Sequence, residues 1–275
     1  MKKNSGILSL MLVLFVFVTI TTTFLPAAAQ KQDQPYLSKN AVIRYDGLER
    51  ADTTQPIIYL VFTGGDYNDG GKTVLKTLKK KKAIAHFFFT GDFYRDRSNK
   101  SLIKKLIKHD HYLGPHSDKH LLYASWNDRD SMFITKDSFI IDLSNNYKEL
   151  KRFGISQKEA PFFMPPYEWY NQQISNWTTE YGSILVNYSP GTSSNADYTT
   201  PDMGDRYLSS DYIFENILRF ESTSSCGMNG FILLVHIGTH PARKDKFYAR
   251  LPALIDELRL RGYRFGSLQK LIGHS

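Results

Sequence analysis

The chain has 275 residues and a single cysteine, Cys226. One thiol cannot form an internal disulfide bond, and it excludes a cysteine-rich zinc or iron–sulfur site. Glycine and proline number 18 and 11, so collagen-like and low-complexity classes are excluded as well. No stretch interleaves basic and aromatic residues as a nucleic-acid site would, and we expect no nucleic-acid partner despite the formal net charge of +8. What remains is an aromatic-rich chain, 41% hydrophobic, that can build a substantial core.

The first 29 residues have the pattern of an export signal. Lys2 and Lys3 precede an almost wholly apolar stretch at residues 7–20, and Ala27-Ala28-Ala29 forms a small-residue cleavage site. An uncleaved membrane anchor is the alternative, but the short apolar stretch favours cleavage. No second long apolar stretch follows. We therefore predict a signal peptide at residues 1–29 and one domain at residues 30–275, which is secreted or periplasmic and has no stable membrane insertion.

Strand and helix patterns alternate along the rest of the chain. Apolar runs typical of strands in a parallel sheet lie at residues 57–62, 84–89, 111–114, 161–164, 183–188, 230–236 and 263–265. Helical patterns lie between them, at residues 73–80, 101–108, 136–153, 172–181, 211–220 and 247–261. This order predicts the α/β class and a distorted (β/α) barrel with about seven parallel strands, one short of the usual eight. In such barrels the active site lies at the carboxyl ends of the strands.

Two histidines follow the third predicted strand at the spacing of a metal site. His116 and His120 are four residues apart, and on a helical turn both would point the same way and could share one ion. Asp66 and Asp69 follow the first strand, and either could be the third ligand. Two structural histidines and an ordinary turn are the alternative interpretation. With no cysteine nearby, the pattern favours a catalytic site of two histidines, one carboxylate and open water positions.

His236 closes the sixth predicted strand, directly after an apolar run. At that end of a barrel it is a candidate general acid, although a hydrogen-bonded core histidine would show the same pattern. We interpret His109 and His111 as structural and His240 as a surface residue.

The order of these motifs resembles one known family. His116-Ser117-x-x-His120, then Pro165-Pro166-Tyr167, then Leu234-x-His236 is similar to the polysaccharide deacetylase family, carbohydrate esterase family 4, over roughly residues 57–271. The resemblance implies a distorted (β/α) barrel that hydrolyses acetyl groups from acetylated sugars. It also implies a divalent metal ion, usually zinc, held by an Asp-His-His set, and an acetylated polysaccharide or oligosaccharide as partner.

The resemblance also implies roles for particular residues. The metal ligands would be Asp66, His116 and His120. The general acid would be His236, oriented by Asp197. Five further residues would line the substrate groove or the acetyl pocket: Pro166, Tyr167, Trp169, Tyr198 and Leu234.

Two departures from the family pattern affect catalysis. The family's first motif is Thr-Phe-Asp-Asp-Gly, in which the first Asp is the base and the second a ligand. Here Gly65-Asp66 leaves Gly65 in the position of the base, and the alternative match of Asn68-Asp69 places an asparagine there; we prefer Asp66 as ligand because it is nearer the strand end. Met164 replaces the arginine that normally steadies that base.

A missing base would cost roughly 10²–10⁴-fold in rate unless Asp69, Glu168 or Asp92 replaces it. The missing base mildly favours O-acetyl substrates, because an alkoxide leaves more readily than an amine. Gly65 and Met164 also motivate a competing hypothesis, a catalytically inactive barrel that binds glycans. A glycosidase would need two carboxylates across the sugar bond, and the sequence offers no convincing pair.

Overall fold

The computed structural model describes residues 38–273. The predicted signal peptide and the domain boundary after residue 29 lie outside the described residues. Within residues 38–273, no helix is both long enough and apolar enough to cross a membrane.

The strands form one hairpin and a set of parallel pairs. An antiparallel hairpin of β1 (Val42–Arg44) and β2 (Gly47–Arg50) opens the described chain. Seven strands follow, and every pairing among them is parallel. They are β3 (Ile57–Gly64), β4 (His86–Phe89), β5 (Tyr112–Pro115), β6 (Phe162–Phe163), β7 (Ile184–Leu185), β8 (Ile232–His236) and β9 (Arg264–Phe265).

The sheet follows a barrel order but its ladders are interrupted. Strands β5, β4, β3 and β8 are neighbours in that order, β9 pairs with the start of β3, and β6 pairs with β7. Single hydrogen bonds join these groups: the Met164 N–H donates to the Pro115 carbonyl at 3.2 Å, and the Ser189 N–H donates to the Ile232 carbonyl at 3.0 Å. In residues 38–273 the regular pairing therefore does not close. The predicted α/β fold with about seven parallel strands and a distorted barrel is confirmed.

Within residues 38–273, seven α-helices accompany these strands. They are α1 (Gly71–Lys81), α2 (Gly91–Arg95), α3 (Lys100–Lys108), α4 (Lys136–Lys151), α5 (Gln172–Glu180), α6 (Ser210–Thr223) and α7 (Leu251–Leu260). The short α2 was not predicted, and it begins because the Thr90 side chain accepts a hydrogen bond from the Phe93 N–H. Two 3₁₀ turns, Pro166–Glu168 and Ser194–Tyr198, interrupt the loops at the carboxyl ends of the strands.

The core lies between the parallel strands and the helices. Phe62 and Phe87 stack with ring centroids 5.0 Å apart, and Phe89 stacks on Phe93 at 4.0 Å. Burying one such ring contributes roughly 1.5–3 kcal/mol. Gly64 ends β3 where an added Cβ would lie 2.6 Å from the Ile237 side chain, so the ends of β3 and β8 approach closely. This packing gives the polar loops beyond the strands a rigid base.

Candidate active site

Polar side chains converge at the carboxyl ends of the parallel strands. His116 follows β5, Glu168 follows β6, and His236 is the last residue of β8. Asp66 lies two residues beyond β3. The site is thus at the end of the sheet that the sequence indicates.

His116 is held as a neutral imidazole with one nitrogen free of backbone contacts. Its Nδ1 lies 2.9 Å from the Met164 carbonyl oxygen, which can only accept, so Nδ1 carries the proton and Nε2 keeps its lone pair. Its backbone N–H donates to Asn146 Oδ1 at 2.8 Å. Burial, and secondarily the neighbouring His120, holds the pKa of His116 well below its ordinary value. A neutral imidazole with a free Nε2 is the form that binds a metal ion.

The expectation that the two histidines share a helical turn is wrong. Residues 116–120 form no helix, and Ser117 and His120 adopt left-handed conformations with φ of 72° and 55°. The His120 N–H donates to Ser117 Oγ at 2.9 Å, which closes a tight turn. The turn still brings the rings of His116 and His120 together, with centroids 5.1 Å apart. Burial, followed by His236, lowers the pKa of His120 to about 4, while Asp66 acts in the opposite direction.

A buried aspartate on α4 anchors this turn. The two oxygens of Asp142 accept hydrogen bonds from the Asp118 and Lys119 N–H groups at 3.2 and 3.1 Å, and from the Tyr123 hydroxyl at 2.7 Å. Sequence reasoning missed both Asp142 and Asn146. Their signal is visible in the sequence: two polar residues, four apart, lie on the buried face of α4 among Phe139, Leu143 and Leu150.

The two histidines fit a metal ion, but the predicted set of three is incomplete. Two imidazoles bound to one tetrahedral ion at N–metal distances of about 2.0–2.1 Å have centroids roughly 5 Å apart, as His116 and His120 do. Asp66 is exposed and has no histidine nitrogen within ion-pair distance among the described residues. In residues 38–273, no group of three or more His, Cys, Asp or Glu side chains is arranged to hold an ion. Two of the three predicted ligands therefore fit, and Asp66 as third ligand stays a prediction.

Asp69, predicted as a catalytic residue, is fully engaged elsewhere. Its oxygens accept from the Thr239 N–H at 2.8 Å and the Tyr248 hydroxyl at 2.9 Å, and pair with Lys246 Nζ at 2.9 Å. Burial raises the pKa of Asp69, but these contacts together lower it below its ordinary value. These contacts let Asp69 anchor the loops after β3 and β8, and its catalytic role stays a prediction.

His116, His120 and His236 lie close together, and we call them the histidine cluster. Asp92 also has its hydrogen-bond partners outside this cluster. Its Oδ1 accepts from Arg95 and from Lys119, each at 2.6 Å. Asp69 and Asp92 thus both pair with lysine or arginine side chains, whereas Glu168 has no lysine or arginine within ion-pair distance among the described residues.

Glu168 faces the cluster from the turn after β6. Its Oε1 lies 3.8 Å from His116 Nε2, and its side chain is 10% exposed. Tyr167 and Glu168 both have positive φ, 60° and 52°, a costly conformation for residues with a Cβ. The turn is nevertheless held, because the Glu168 N–H donates to the Pro165 carbonyl and Asn187 Nδ2 donates to the Glu168 carbonyl, both at 3.0 Å. Burial raises the pKa of the Glu168 carboxyl to about 7, against the opposing effect of His236.

Asp197 clamps His236 from two sides. Asp197 Oδ1 lies 2.6 Å from His236 Nδ1, and Oδ2 accepts from the His236 backbone N–H at 2.9 Å. Burial lowers the pKa of His236, but the charge and hydrogen bond of Asp197, together with Glu168, raise it on balance. With Nδ1 committed to Asp197, the second ring nitrogen of His236 is available to carry a proton.

Three of the five predicted substrate contacts have open surface at the site. The Tyr167 ring centroid is 4.3 Å from that of His120, and the Tyr198 centroid is 5.5 Å from that of His236. Trp169 is partly exposed and donates from Nε1 to the Ser125 carbonyl at 3.2 Å. Leu234 and Pro166 are buried, Leu234 because it pairs with Val61 inside the sheet. Neither of them offers surface to a substrate in this structure.

The structure shows the surroundings of Met164 and Gly65, the two positions at which the sequence departs from the family pattern. Met164 is buried, and its carbonyl, not its side chain, fixes His116. Crowding does not require a glycine at position 65, because an added Cβ would meet only the Thr90 side chain, at ordinary distances of 3.5 Å to Cγ2 and 3.8 Å to Oγ1. A carboxylate could therefore occupy this position without a steric clash at Cβ.

The fold and the site together define a distorted (β/α) barrel with an acid–base cluster at its carboxyl strand ends. A family model described as polysaccharide deacetylase matches residues 50–185. The peptidoglycan-N-acetylglucosamine deacetylase of Bacillus cereus is 27% identical over 219 residues, which are 79% of this chain and 89% of that protein. The chain belongs to the polysaccharide deacetylase family, carbohydrate esterase family 4.

Solved structures agree with this membership. A family 4 carbohydrate esterase from Bacillus anthracis is 25% identical, with a TM-score of 0.59 and coverage of 88% of this chain and 91% of that one. BA3943, a family 4 pseudoenzyme from Bacillus anthracis, is 16% identical, with a TM-score of 0.62 and coverage of 84% and 70%. The second likeness shows the fold alone. The family predicted from the sequence motifs is confirmed.

Proposed function

We propose that the chain is a carbohydrate deacetylase that hydrolyses N- or O-acetyl groups of an acetylated glycan. Membership of the family supports this activity, and the Bacillus cereus relative suggests N-acetylhexosamine units as the substrate class. The observation that carries the proposal is a pair of neighbouring titratable groups, each of which shifts the pKa of the other: the imidazole of His236, whose Nδ1 lies 2.6 Å from Asp197 Oδ1, and the carboxyl of Glu168.

In the proposed reaction Glu168 is the base. Its carboxylate accepts a proton from a water molecule as that water attacks the acetyl carbonyl. Burial raises the pKa of Glu168 to about 7, so its carboxylate is a stronger base than an exposed one. Glu168 thereby fills the role that Gly65 cannot.

His236 is the acid in the same reaction. Asp197 favours the protonated form of the imidazole and fixes its orientation. When the bond between the acetyl carbon and the sugar nitrogen or oxygen breaks, His236 gives its proton to the leaving group. Neighbouring titratable groups whose pKa values are shifted by their surroundings are typical of an acid–base pair. Here the pKa values of both Glu168 and His236 are raised.

We propose further that a divalent ion, zinc, binds at His116 and His120, with Asp66 as its third protein ligand. Such an ion would lower the pKa of a bound water and polarise the carbonyl. The close approach of the His116 and His120 rings, with centroids 5.1 Å apart, supports this assignment.

The proposed location is outside the cytoplasm, after cleavage near Gln30. The signal pattern at residues 1–29 supports it. N-terminal sequencing of the protein from its native host should begin near Gln30, and a sequence that starts at residues 1–10 would refute cleavage.

Acetate release tests the proposed activity. Purified protein is incubated with N-acetylated and O-acetylated glycans, with chelator and with added zinc. We expect acetate from at least one acetylated glycan, and less after chelation.

The competing function is an inactive glycan-binding barrel. Gly65 at the base position and the incomplete ligand set favour it. This hypothesis predicts that the protein binds acetylated oligosaccharide but releases no acetate, whether or not metal is present. That result would overturn the proposed activity.

A further inference from the structure

The positive charge of the chain is concentrated on two helices. Helices α1 and α3 carry nine of the 35 lysines and arginines and no acidic residue, so the rest of the chain has 26 basic and 27 acidic residues. Eight of these nine lysines are exposed, and we call them the lysine face: Lys72, Lys76, Lys79, Lys80, Lys100, Lys104, Lys105 and Lys108. The ninth, Lys81, pairs with Asp256 of α7. Among residues 38–273, no carboxylate lies within ion-pair distance of the lysine face.

The two helices lie side by side. Their first turns touch, because Asn68 Nδ2 donates to Asn99 Oδ1 at 2.6 Å, and a Cβ added at Gly71 would lie 2.5 Å from Leu102. Helix α1 leads from β3 to β4 and α3 leads into β5, so both return along the same parallel sheet in the same direction. Packed helices have axes about 8–10 Å apart, and lysines four residues apart recur about every 6 Å along a helix. Neighbouring charges of the lysine face therefore lie within a Debye length, about 10 Å at 0.1 M salt, and act together.

The stability of the helices does not explain this arrangement. On each helix, every ionisable side chain three or four residues from a lysine of the face is another lysine, and such like-charged pairs destabilise a helix. The helix dipole favours cations in the last turn only, whereas Lys72 and Lys100 lie in the first turn, where it disfavours them. Solubility requires net charge but does not require it on one surface. A ligand of opposite charge would relieve the repulsion.

We propose that the lysine face binds a linear phosphodiester polymer without bases, with polyol phosphate as its repeat unit. A lysine ammonium is a point charge that binds phosphate without a fixed geometry, which suits a flexible polymer. Neither helix contains an arginine, the residue whose planar fork binds carboxylates in a bidentate manner.

The composition of the two helices disfavours two other polyanionic partners. Neither helix has an aromatic residue, so the lysine face offers no surface on which nucleic-acid bases could stack. The exposed large hydrophobic residues of the described chain all lie outside α1 and α3. The face therefore has no side chain to insert into a lipid bilayer, as helices that bind membrane surfaces do.

The lysine face is separate from the candidate active site. Both helices begin at the carboxyl ends of the strands, and their lysines continue away from that end along the side of the sheet. A bound polymer would hold the protein on a polyanionic matrix and leave the histidine cluster open. Retention of this kind raises the effective concentration of any substrate that is held in the same matrix.

Calorimetric titration with poly(glycerol phosphate) at low salt tests the inference. The face variant combines Lys72→Gln, Lys76→Gln, Lys100→Gln and Lys104→Gln, and its Kd should rise about tenfold or more, because four phosphate contacts are lost. The matched control removes the same charge from exposed lysines on and after α4, with Lys136→Gln, Lys148→Gln, Lys151→Gln and Lys158→Gln. Its Kd should stay within about threefold of the wild type, and only the face variant should show a shallower salt dependence.

Several outcomes would overturn the inference. No binding by the wild type, or equal losses in the two variants, would exclude the lysine face as the binding surface. Single-stranded DNA of equal charge, or vesicles that contain phosphatidylglycerol, would replace the proposed partner if either binds about tenfold more tightly than the polymer.

Thermal unfolding provides a second readout. At low salt the face variant should have a higher Tm than the wild type, because it removes like-charged pairs, and the difference should vanish in about 1 M salt. A lower Tm would mean that the lysines stabilise the fold, which would contradict the inference. Binding is measured without turnover, so a failure of the proposed activity leaves this test unaffected.

Discussion

His86 and His116 are buried histidines at opposite ends of the parallel sheet. His86 begins β4 and His116 follows β5, and burial lowers the pKa of both. At His86 both ring nitrogens bind backbone: Nδ1 lies 3.0 Å from the Leu60 carbonyl, and Nε2 accepts from the Leu268 N–H at 2.8 Å. At His116 only Nδ1 binds backbone, and Nε2 faces Glu168.

Burial and a lowered pKa therefore do not distinguish His116, the proposed metal ligand, from His86. The distinguishing feature is a ring nitrogen left free at the carboxyl end of the sheet. The same criterion separates the carboxylates, since Asp69 has both oxygens engaged by Thr239, Tyr248 and Lys246 whereas Glu168 faces the cluster.

The largest effect is expected at Glu168. Glu168→Gln keeps the shape of the side chain but cannot take a proton, so kcat should fall roughly 10²–10⁴-fold. Metal content, measured on the same sample, should be unchanged if Glu168 is a base. Loss of the metal in this variant would contradict that role and make Glu168 a ligand.

Two further variants sharpen the carboxylate comparison. Asp92→Asn is the control and should leave kcat within about threefold, because Asp92 binds Arg95 and Lys119 outside the cluster. Gly65→Asp in the Glu168→Gln background should restore part of the activity, since it adds a carboxylate at the family's base position and a Cβ there meets no atom closer than 3.5 Å. If activity does not recover, an aspartate at position 65 cannot act as the general base in this chain.

A smaller loss is expected at the acid. His236→Ala should lower kcat about 10²-fold with the metal retained, and more for N-acetyl than O-acetyl substrates, because an amine leaves poorly unless protonated. Asp197→Asn should cost less, on the order of tenfold, because it acts only through His236. Steady-state rates on matched amide and ester substrates provide the measurement. Equal losses on both substrates would argue against proton donation by His236.

The metal content of variants compares His120, at the proposed metal site, with the structural residue His86. We expect about one divalent ion per chain, most of it lost in His120→Ala and retained in His86→Gln. Asp66→Asn should lose less than His120→Ala, since Asp66 has no close contact to either imidazole in the structure. Complete retention of metal in His120→Ala would exclude the predicted site.

The smallest effect concerns stability and belongs to the structural histidine. The folded-state pKa of His86 is about 4, against 6.5 for a free histidine, so between pH 6.5 and 4 the unfolded chain binds a proton that the folded chain does not. Stability should fall as pH falls through this window, by up to about 3 kcal/mol from this residue. His111, whose pKa burial also lowers to about 4, adds to the slope.

Chemical denaturation at pH 7 and pH 4 measures that slope. His86→Gln should make it shallower, whatever the variant does to stability at pH 7. An unchanged slope would mean that His86 titrates normally in the folded protein.

The fold was predictable because its signals are periodic. The run at residues 57–62 is buried on both faces of β3, and the stripe at 101–108 became α3. The short strands β6 and β7 are the weakest matches, because their ends turn early into irregular loops. The helix at Gly91–Arg95 was missed because a capped single turn leaves almost no periodic pattern.

The candidate site was predictable only in part. Pairing of His236 with Asp197 and proximity of His116 to His120 were expected, and both occur. The sequence offered Asp69, Glu168 and Asp92 as the base without ranking them, because the preference now proposed for Glu168 depends on which carboxylates find hydrogen-bond partners after folding. The left-handed turns at Ser117 and Tyr167 were equally hidden, since nothing in the sequence marks a non-glycine residue with positive φ.

The most direct test is release of acetate and free amine from the N-acetylglucosamine pentamer. It compares the wild type with Glu168→Gln, His236→Ala and the double variant. We predict equal amounts of acetate and amine from the wild type, and a double variant scarcely slower than the slower single variant, because both residues act in one reaction. A wild type that binds the pentamer but releases no acetate with zinc present would contradict the account.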